Sequence, residues 1–239
     1  MRLDARAAEV FDLTRTKAKQ LILDGGITVN GREIRKPAYE TQDSDCLEQV
    51  KTFAFASLGG DKLEKALQDF AYDCGGRVCL DIGASNGGFT DCLLTHGARK
   101  VYAVDVGACA LAERLIVDPR VVVKDRTNAR ALTAQDLGEL CDLCTIDVSF
   151  ISLELILPAA ANCLRAGGDI LALIKPQFEC GKKYLSKTGI VRDPDVHRRV
   201  CAQVERFAQS IGLEKLGLTD APIKEDKNRE FLIYLRKKY

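Results

Sequence analysis

One glycine-rich turn and the segments on either side of it carry the clearest chemical signal in this chain. The segment Val78–Ile82 is apolar apart from Asp81, and the turn Gly83–Gly88 follows it before an amphipathic stretch begins. That order predicts a buried strand, a tight loop and a helix. In an open α/β sheet, ligands bind at the carboxyl ends of such strands. We therefore expect a ligand site at this loop.

A second acid narrows the kind of ligand. The next apolar stretch, Lys100–Val104, is followed by Asp105, where a carboxylate can accept both hydroxyls of a ribose. The turn reads Gly83-x-x-x-Gly87-Gly88 and not the G-x-G-x-x-G of dinucleotide binders, so a nucleoside without phosphates fits it best. We interpret the ligand as S-adenosylmethionine. The alternative is an ordinary α/β crossover with a glycine turn, which the acid after the second strand disfavours.

Four further polar residues are singled out by their positions. Asp147 and Lys175 end predicted parallel strands, Lys62 opens the helix before the first strand, and Glu230 precedes the last strand. A lysine that closes an apolar run needs a carboxylate or a substrate as partner, because a half-buried unpaired charge is costly. Lysine is a candidate base, and two neighbouring lysines lower each other's pKa. We favour function for Asp147 and Lys175; the alternative is a structural ion-pair network, above all for Glu230.

Strands alternate with helices from Phe53 onward, which predicts a mostly parallel sheet with right-handed crossovers. The predicted strands are Val78–Ile82, Val101–Val104, Val121–Val123, Leu143–Val148, Ile170–Ile174 and Phe231–Leu235. The predicted helices are Lys62–Phe70, Thr90–Thr95, Cys109–Leu115, Leu153–Leu164 and Asp195–Ile211. The last strand follows a predicted loop, Leu218–Arg229, so we expect it to be inserted antiparallel.

The first 48 residues form a separate predicted unit. The pattern predicts a helix over Arg2–Phe11, a second helix capped by Thr14 and ended by Asp24–Gly26, and a hairpin with Asn30 and Gly31 as a type I′ turn. Cations cluster on the second helix and after the hairpin turn: Arg15, Lys17, Lys19, Arg32, Arg35 and Lys36. Charge runs usually mean a solvated face, but helix and ribbon would present these cations together. We favour a phosphate-binding surface.

Composition bounds the class of protein. A chain of 239 residues with a net charge of +1 suits one large and one small domain. No segment approaches the roughly 20 apolar residues of a membrane span, and the N-terminus has no apolar signal core, so we expect a cytoplasmic protein.

Most of the ten cysteines lie in apolar segments, and we interpret them as small buried side chains. Cys141-x-x-Cys144 has no second pair and there are only two histidines, so we expect no metal.

Several motifs together resemble a known family. They are Arg2-Leu-Asp, Ser57-Leu-Gly-Gly-Asp-Lys-Leu, Asp81-Ile-Gly-Ala-Ser-Asn-Gly-Gly-Phe-Thr-Asp, Val104-Asp-Val-Gly, Asp125-Arg-Thr-Asn-Ala-Arg, Ile146-Asp-Val-Ser-Phe-Ile-Ser-Leu and Ile174-Lys-Pro-Gln-Phe-Glu. The N-terminal part resembles an S4-type (α-L) RNA-binding domain, and the remainder resembles the FtsJ-like ribose methyltransferases. In this order the two resemble the TlyA (hemolysin A) family of ribosomal RNA 2′-O-methyltransferases.

The resemblance implies a Rossmann-like class I methyltransferase fold, with domains at 1–48 and 61–239 joined by a linker at 49–60. It implies a catalytic set of Lys62, Asp147, Lys175 and Glu230, in which Lys175 orients or deprotonates the 2′-hydroxyl. The cofactor-binding residues it implies, together with the loop argument, are Asp81, Gly83, Ala84, Ser85, Gly87, Gly88, Phe89, Thr90, Asp105, Val106, Asp125 and Asp147. Asp105 is expected at the ribose and Asp125 at the adenine.

The expected partner is ribosomal RNA or an assembled ribosomal subunit, bound by a protein that we expect to be a monomer. Two other interpretations stay open. One is a membrane-active hemolysin, as the older family name suggests, although the sequence has no apolar span and no strongly amphipathic surface helix. The other is an RNA-binding protein with a vestigial methyltransferase fold, which the presence of all four catalytic-type residues disfavours.

Overall fold

The computed structural model describes residues 1–23, 25–50, 54–222 and 227–239. The chain divides into two compact units, Met1–Ala54 and Phe55–Tyr239. The division falls inside the segment expected as a linker, since Phe55 and Ala56 are already buried in the second unit. Among the described residues, no helix is long and apolar enough to cross a membrane.

The first unit contains two helices and three short strands. They are α1 (Leu3–Val10), α2 (Arg15–Leu23), β1 (Ile27–Val29), β2 (Arg32–Glu33) and β3 (Leu47–Gln49). The predicted cap is confirmed, because the Lys17 N–H donates to Thr14 Oγ1 at 3.3 Å. Asn30 and Gly31 have φ values of 52° and 73°, as a type I′ turn requires. Asp24, part of the predicted helix end, lies outside the described residues.

Strand β3 was not expected from the sequence. It pairs antiparallel with β1 on the side opposite to β2, and three residues reading Leu-Glu-Gln are too short to show alternation. A small apolar core lies where α1, α2 and β1 meet. Its buried members are Leu3, Ala7, Ala18, Leu21, Ile22, Ile27 and Val29.

The second unit alternates helices with strands, as predicted. Its helices are α3 (Gly59–Asp69), α4 (Gly88–Thr95), α5 (Glu113–Ile116), α6 (Ala134–Leu137), α7 (Leu157–Asn162), α8 (Pro176–Glu179) and α9 (Pro194–Ser210). Its strands are β4 (Val78–Ile82), β5 (Lys100–Val104), β6 (Val121–Lys124), β7 (Cys141–Ile146), β8 (Leu164–Ile174), β9 (Leu213–Asp220) and β10 (Phe231–Lys237).

These strands form one sheet in the order β6-β5-β4-β7-β8-β10-β9. The pairs from β6 to β8 are parallel, and β10 runs antiparallel to both β8 and β9. The predicted mostly parallel sheet with an antiparallel C-terminal strand is therefore confirmed. Central strand β4 is buried on both faces, with Val78, Leu80 and Ile82 packing in one apolar cluster and Cys79 in the other.

Strand β9 corrects the beginning of the loop predicted over Leu218–Arg229, of which residues 223–226 lie outside the described residues. The strand extends to Asp220 and pairs with β10 along the outer edge of the sheet. An edge strand buries little of its surface, and Glu214, Lys215 and Thr219 weaken its apolar pattern. Sequence reasoning therefore missed it.

Two helix predictions were also too long. The helix expected over Cys109–Leu115 begins only at Glu113. The helix expected over Leu153–Leu164 is a short 3-10 turn followed by α7, and Leu164 already belongs to β8. Pro158 lies in the first turn of α7, where a missing N–H is tolerated, so α7 starts there and does not continue the preceding turn.

Candidate active site

Four parallel strands end at one edge of the sheet, and each is followed by a residue that the sequence singled out. Gly83 follows β4, Asp105 follows β5, Asp147 follows β7 and Lys175 follows β8. Because these strands are neighbours in the sheet, their carboxyl ends lie side by side. This edge is where open α/β sheets bind ligands.

The residues predicted to be catalytic form two ion pairs. Lys175 Nζ lies 2.5 Å from Asp147 Oδ1, and Lys62 Nζ lies 2.6 Å from Glu230 Oε2. Lys175 also donates a hydrogen bond to Ser149 Oγ at 3.1 Å. The Lys175 side chain is only 9% exposed, so its charge requires these partners.

Strand register explains how a residue near the C-terminus reaches the site. Phe231 of β10 pairs with Ile174 of β8, so Glu230 precedes β10 at the position beside Lys175. Antiparallel insertion of β10 is therefore what delivers the fourth charged group. The sequence predicted the residue, whereas its position depends on a pairing between segments more than fifty residues apart.

Lys62 stays a charged group. Burial opposes the charged form, but the nearby carboxylates of Asp147 and Glu230 and the hydrogen bond to Glu230 raise the pKa of Lys62 above its ordinary value. The expectation that the two lysines lower each other's pKa is therefore wrong for Lys62. The carboxylates of Asp147 and Glu230 outweigh the effect of burial on Lys62.

One oxygen of Asp147 is left with capacity for another partner. Oδ1 is buried and lies at ion-pair distance from Lys175, but outside hydrogen-bonding angles, and it accepts no hydrogen bond from any described residue. A buried acceptor in this state is a feature that substrate or cofactor binding can satisfy.

Two aromatic residues, Phe150 and Phe178, follow Ser149 and Lys175 closely in the chain. Phe150 is 89% exposed and has a φ of 64°, and its ring centroid is 4.9 Å from that of Phe178. A left-handed conformation at a bulky residue is rare and is costly unless the surroundings hold it. Glu179 helps to hold this segment by accepting hydrogen bonds from Ser152 Oγ and Leu153 N at 2.6 and 2.8 Å. Sequence reasoning missed Phe150, since exposure of an apolar residue is not visible in a sequence.

A cavity of about 350 Å³ opens beside the cluster. Its walls come from the ends of β4, β5 and β7 and from the segment after β6: Ile82, Gly83, Ser85, Val104, Asp105, Val106, Thr127, Asn128, Ala129, Asp147, Val148, Ser149, Ile151 and Ile156. The predicted cofactor residues Gly83, Ser85, Asp105, Val106 and Asp147 are in this wall.

Other residues predicted to bind the cofactor lie elsewhere. Ala84, Phe89 and Thr90 are buried in the protein around the loop. Asp125 is exposed after β6, and Thr127, Asn128 and Ala129 line the cavity in its vicinity. Contact of Asp125 with an adenine therefore stays a prediction.

Asp105 is held in place by backbone donors. The Ser85 N–H donates to Asp105 Oδ2 at 2.9 Å, and the Gly107 N–H donates to Oδ1 at 2.8 Å. Ser85 has a φ of 47°, in the left-handed region. Each of the two Asp105 oxygens can accept a second hydrogen bond, so the carboxylate is preorganised to accept two hydroxyl donors.

The loop glycines serve packing inside the protein. Gly83 has a φ of 88°, and a Cβ added there would overlap the backbone carbonyl oxygen of Asp147. A Cβ at Gly88 would overlap Ser57 Oγ and lie 2.8 Å from the Gly60 nitrogen. Gly83 therefore lets β4 and β7 approach each other, and Gly88 lets the start of α4 approach the start of α3, which carries Lys62. Gly87 supplies the left-handed residue before α4.

Asp81 is completely buried below the loop. Its carboxylate accepts hydrogen bonds from Thr90 Oγ1 at 2.6 Å and from Thr145 Oγ1 at 3.0 Å. Burial raises the pKa of Asp81 to about 7, although the threonine hydrogen bonds oppose the shift. Its predicted contact with the cofactor would have to be indirect, because none of its surface is exposed.

Comparisons with known proteins agree with this geometry. Residues 55–238 match the family model of the FtsJ-like methyltransferases, and residues 1–45 match the S4 domain. The 16S/23S rRNA (cytidine-2′-O)-methyltransferase TlyA of Mycobacterium tuberculosis is 43% identical over 93% of this chain and 84% of its own length. Hemolysin A of Brachyspira hyodysenteriae is 39% identical over 98% of this chain and 99% of its own length.

The chain belongs to the TlyA (hemolysin A) family, with an FtsJ-like methyltransferase domain. A solved structure from Streptococcus thermophilus that carries a provisional hemolysin designation is 40% identical, with a TM-score of 0.80 over all of this chain and 88% of its own. The N-methyltransferase NodS of Bradyrhizobium japonicum is 15% identical with a TM-score of 0.54, so it shows the Rossmann-like methyltransferase fold alone.

The S4 domain of this TlyA-family chain presents the cations that the sequence singled out. Arg15, Lys19, Arg32, Arg35 and Lys36 are exposed and Lys17 is half-buried. Arg15 and Arg35 have acidic partners, Asp4 at 3.3 Å and Glu33 at 2.5 Å. These two arginines therefore contribute to local structure as well as to surface charge.

The methyltransferase domain carries a second basic segment, which we call the 182–199 surface. Its exposed cations are Lys182, Lys183, Lys187, Arg192, Arg198 and Arg199. The Tyr184 ring lies 4.9 Å from Lys183 Nζ and 4.1 Å from Arg199 Cζ. The segment begins a few residues after Lys175. Its lysines are visible in the sequence, but the sequence analysis did not single them out as a binding surface.

Proposed function

We propose that this protein transfers the methyl group of S-adenosylmethionine to a ribose 2′-hydroxyl of ribosomal RNA. The observation that carries the proposal is the pair of ion pairs, Lys62–Glu230 and Lys175–Asp147, at the strand edge beside the cavity. Relatives named as rRNA 2′-O-methyltransferases support the same reaction. The proposal places the protein in the cytoplasm, as a monomer acting on ribosomal RNA or on an assembled ribosomal subunit.

The residues of the cavity fit S-adenosylmethionine. Asp105 offers two preorganised acceptors for ribose hydroxyls, and Ile151 and Ile156 supply apolar wall for an adenine. A cavity of about 350 Å³ lies within the range of small-molecule sites. When bound, the cofactor supplies a methyl group activated by a sulfonium.

Lys175 acts on the acceptor. The Lys175 amino group, held by Asp147 and Ser149, orients the 2′-hydroxyl. Once Lys175 has passed one of its own protons to Asp147, the free amine accepts the hydroxyl proton as the oxygen attacks the methyl carbon. Asp147 both fixes Lys175 and lines the cavity, so it couples the acceptor side to the cofactor side. Lys62 and Glu230 form a second ion pair in the cluster, and the Asp147 carboxylate also favours the charged form of Lys62.

Exposed groups near the site suit an RNA acceptor. Phe150 offers an aromatic face next to Phe178, on which an unstacked base can pack. The 182–199 surface provides cations and Tyr184 for phosphates and bases. The S4 domain adds a second cationic surface, so affinity for a large RNA would come from several weak phosphate contacts.

The decisive experiment is methylation of ribosomes by the purified protein. Ribosomal subunits from a strain that lacks the gene are incubated with labelled S-adenosylmethionine, and mass spectrometry of the RNA locates the added methyl group. We expect a 2′-O-methyl ribose in one or both subunit RNAs. Methylation of a base, or no transfer to any ribosomal RNA, would contradict the proposal.

The hemolysin name of one relative makes membrane activity the competing function. Dye release from liposomes, measured beside ribosome methylation with the same preparation, separates the two. Retained dye together with methylated RNA supports the methyltransferase. A non-catalytic RNA-binding protein would bind ribosomes in the same assay without transferring a methyl group.

A further inference from the structure

Three metal-ligand side chains converge between α3 and α4, and none of them lines the cavity of the candidate active site. Within the described part of the chain, Glu64, Cys92 and His96 each offer one ligand atom, and these atoms lie within 4.8 Å of one another. His96 Nε2 is 2.5 Å from Glu64 Oε2, and Cys92 Sγ is 3.8 Å from the same oxygen. We infer that these residues form a binding site for a zinc-type transition-metal ion.

The donor set determines the class of metal. A thiolate, an imidazole and a carboxylate suit Zn²⁺ and its spectroscopic substitute Co²⁺, whereas Mg²⁺ and Ca²⁺ require oxygen ligands. With metal–ligand distances near 2.0–2.3 Å, tetrahedral ligand atoms lie about 3–4 Å apart. The Cys92–Glu64 pair already has this spacing, and the Glu64–His96 contact has to open by about 1 Å.

The helices present the ligands in a chelating arrangement. Cys92 lies in α4 and His96 is the residue that ends it, four positions later, so both lie on one helix face. Glu64 comes from the neighbouring helix α3. Gln68 Nε2 donates to Glu64 Oε1 at 2.6 Å, which orients the carboxylate and leaves Oε2 for the shared position.

Burial is graded across the cluster. Cys92 is 0% exposed, whereas the side chains of Glu64 and His96 are 28% and 37% exposed. The thiol therefore closes the site on the protein side, and the imidazole side is open to solvent. A metal ion can reach the site from that side, and a water molecule can complete four-coordination there. Burial raises the pKa of the Cys92 thiol, so binding must release its proton to solvent.

The sequence analysis predicted no metal site because the three ligands do not lie close together in the sequence. Cys92 and His96 have the spacing of a chelating pair on a helix, but two donors are insufficient, and the third is 28 residues earlier in the chain than Cys92. Only the packing of α3 against α4 supplies it.

Cobalt titration of the purified full-length protein tests the site. We expect one equivalent of Co²⁺ to produce a thiolate-to-metal charge-transfer band and the visible bands of four-coordinate cobalt, and Zn²⁺ to displace them. Glu64→Gln and His96→Gln should each weaken Co²⁺ binding at least tenfold, and Cys92→Ser should abolish the charge-transfer band. Cys46→Ser, which removes an exposed thiol elsewhere, is the matched control and should bind as the wild type does.

Nuclear magnetic resonance gives a second measurement that does not depend on Cys92→Ser folding. The chain has only two histidines, so Zn²⁺ should shift the imidazole signals of His96 and leave those of His197 unchanged. Absence of the charge-transfer band in the wild type, or wild-type affinity in the partly exposed variant His96→Gln, would overturn the inference. Neither result bears on methyl transfer, because none of the three residues belongs to the proposed catalytic set.

Discussion

Two buried aspartates, Asp4 in the first unit and Asp81 in the second, have opposite surroundings. In the S4 domain, Asp4 is 3% exposed and contacts the guanidinium groups of Arg2 and Arg15 at 2.8 and 3.3 Å. It lies near the surface, covered by these side chains. Hydrogen bonds from Arg2 and, more weakly, Arg15 outweigh burial and lower the pKa of Asp4 to about 2.

In the methyltransferase domain, Asp81 is 0% exposed and meets only hydroxyl and backbone donors. Burial there raises the pKa of Asp81 to about 7. Asp4 therefore fixes two arginines at the surface of the S4 domain, as Asp169 fixes Arg236 at the surface of the methyltransferase domain. Asp81 has no cationic partner among the described residues, and Lys175 pairs instead with Asp147 at the strand edge. We predict that the buried Lys175–Asp147 pair performs the chemistry and that the exposed cations of the S4 domain only bind.

The largest expected effect comes from Lys175→Met. Loss of a general base or orienting group should reduce kcat for ribosome methylation by about 10²–10⁴-fold, while the Kd for S-adenosylmethionine stays within a factor of about two. Single-turnover methylation and calorimetry measure the two quantities. The matched control is Lys65→Met on α3, a half-buried lysine that pairs with Asp69. Near-normal turnover in Lys175→Met would remove this residue from the mechanism.

Asp81→Asn tests whether the pKa of the buried Asp81 carboxyl is raised. The pKa of Asp81 is raised to about 7 in the folded protein. Between about pH 4 and about pH 7, the folded protein therefore keeps a proton that the unfolded chain has lost. Stability from this group is fully present below about pH 4 and falls as the pH rises to about 7, by up to about 4 kcal/mol. Asp81→Asn has no ionisable group at this position, so its stability should not fall over this pH range. At about pH 8 it should be more stable than the wild type. Denaturant unfolding of both proteins across that range measures it; parallel curves would contradict the raised pKa.

Asp105→Ala should weaken S-adenosylmethionine binding by about 2–4 kcal/mol, because it removes two charge-assisted hydrogen bonds. Calorimetry with the purified protein measures the change. Asp118→Ala is a useful control, since Asp118 pairs with Arg120 outside the cavity wall. Tight binding of NAD and no binding of S-adenosylmethionine by the wild type would reject the assignment of the cofactor.

Phe150→Ala removes the exposed ring beside Phe178. If a base of the RNA packs on it, the KM for ribosomal substrate should rise by the equivalent of about 1–3 kcal/mol, with the cofactor Kd unchanged. Phe150→Tyr keeps the aromatic face and should bind ribosomal substrate nearly as the wild type does. An alanine variant with normal KM would show that the ring only supports Phe178.

The smallest effect is expected in the S4 domain. Lys17→Ala with Lys19→Ala should weaken RNA binding modestly and reduce the salt dependence by about one unit of slope for each phosphate that these lysines neutralise. Arg15 is left in place, since its removal would also disturb Asp4. Binding assays over a range of salt concentrations give the slope. An unaltered slope would mean that these lysines form only a solvated face.

Sequence alone determined the alternation of helices with parallel strands and the separate N-terminal unit, and it singled out the residues at the strand ends. Apolar stretches ending in Asp105, Asp147 and Lys175 sufficed, because parallel strands bring their carboxyl ends to one edge. Local chemistry also fixed the Asn30-Gly31 turn and the Thr14 cap. These features depend on residues close together in the chain, so a linear pattern reveals them.

Tertiary structure decided what depends on distant pairing. The position of Glu230 follows from the register of β10 on β8, and edge strand β9 becomes visible only once β10 lies beside it. The raised pKa of Lys62 depends on the balance of two carboxylates against burial, and the Glu64–Cys92–His96 cluster depends on how two helices pack. Electrostatic energies and ligand geometry depend on distances of a few ångströms between side chains. Sequence spacing does not specify those distances.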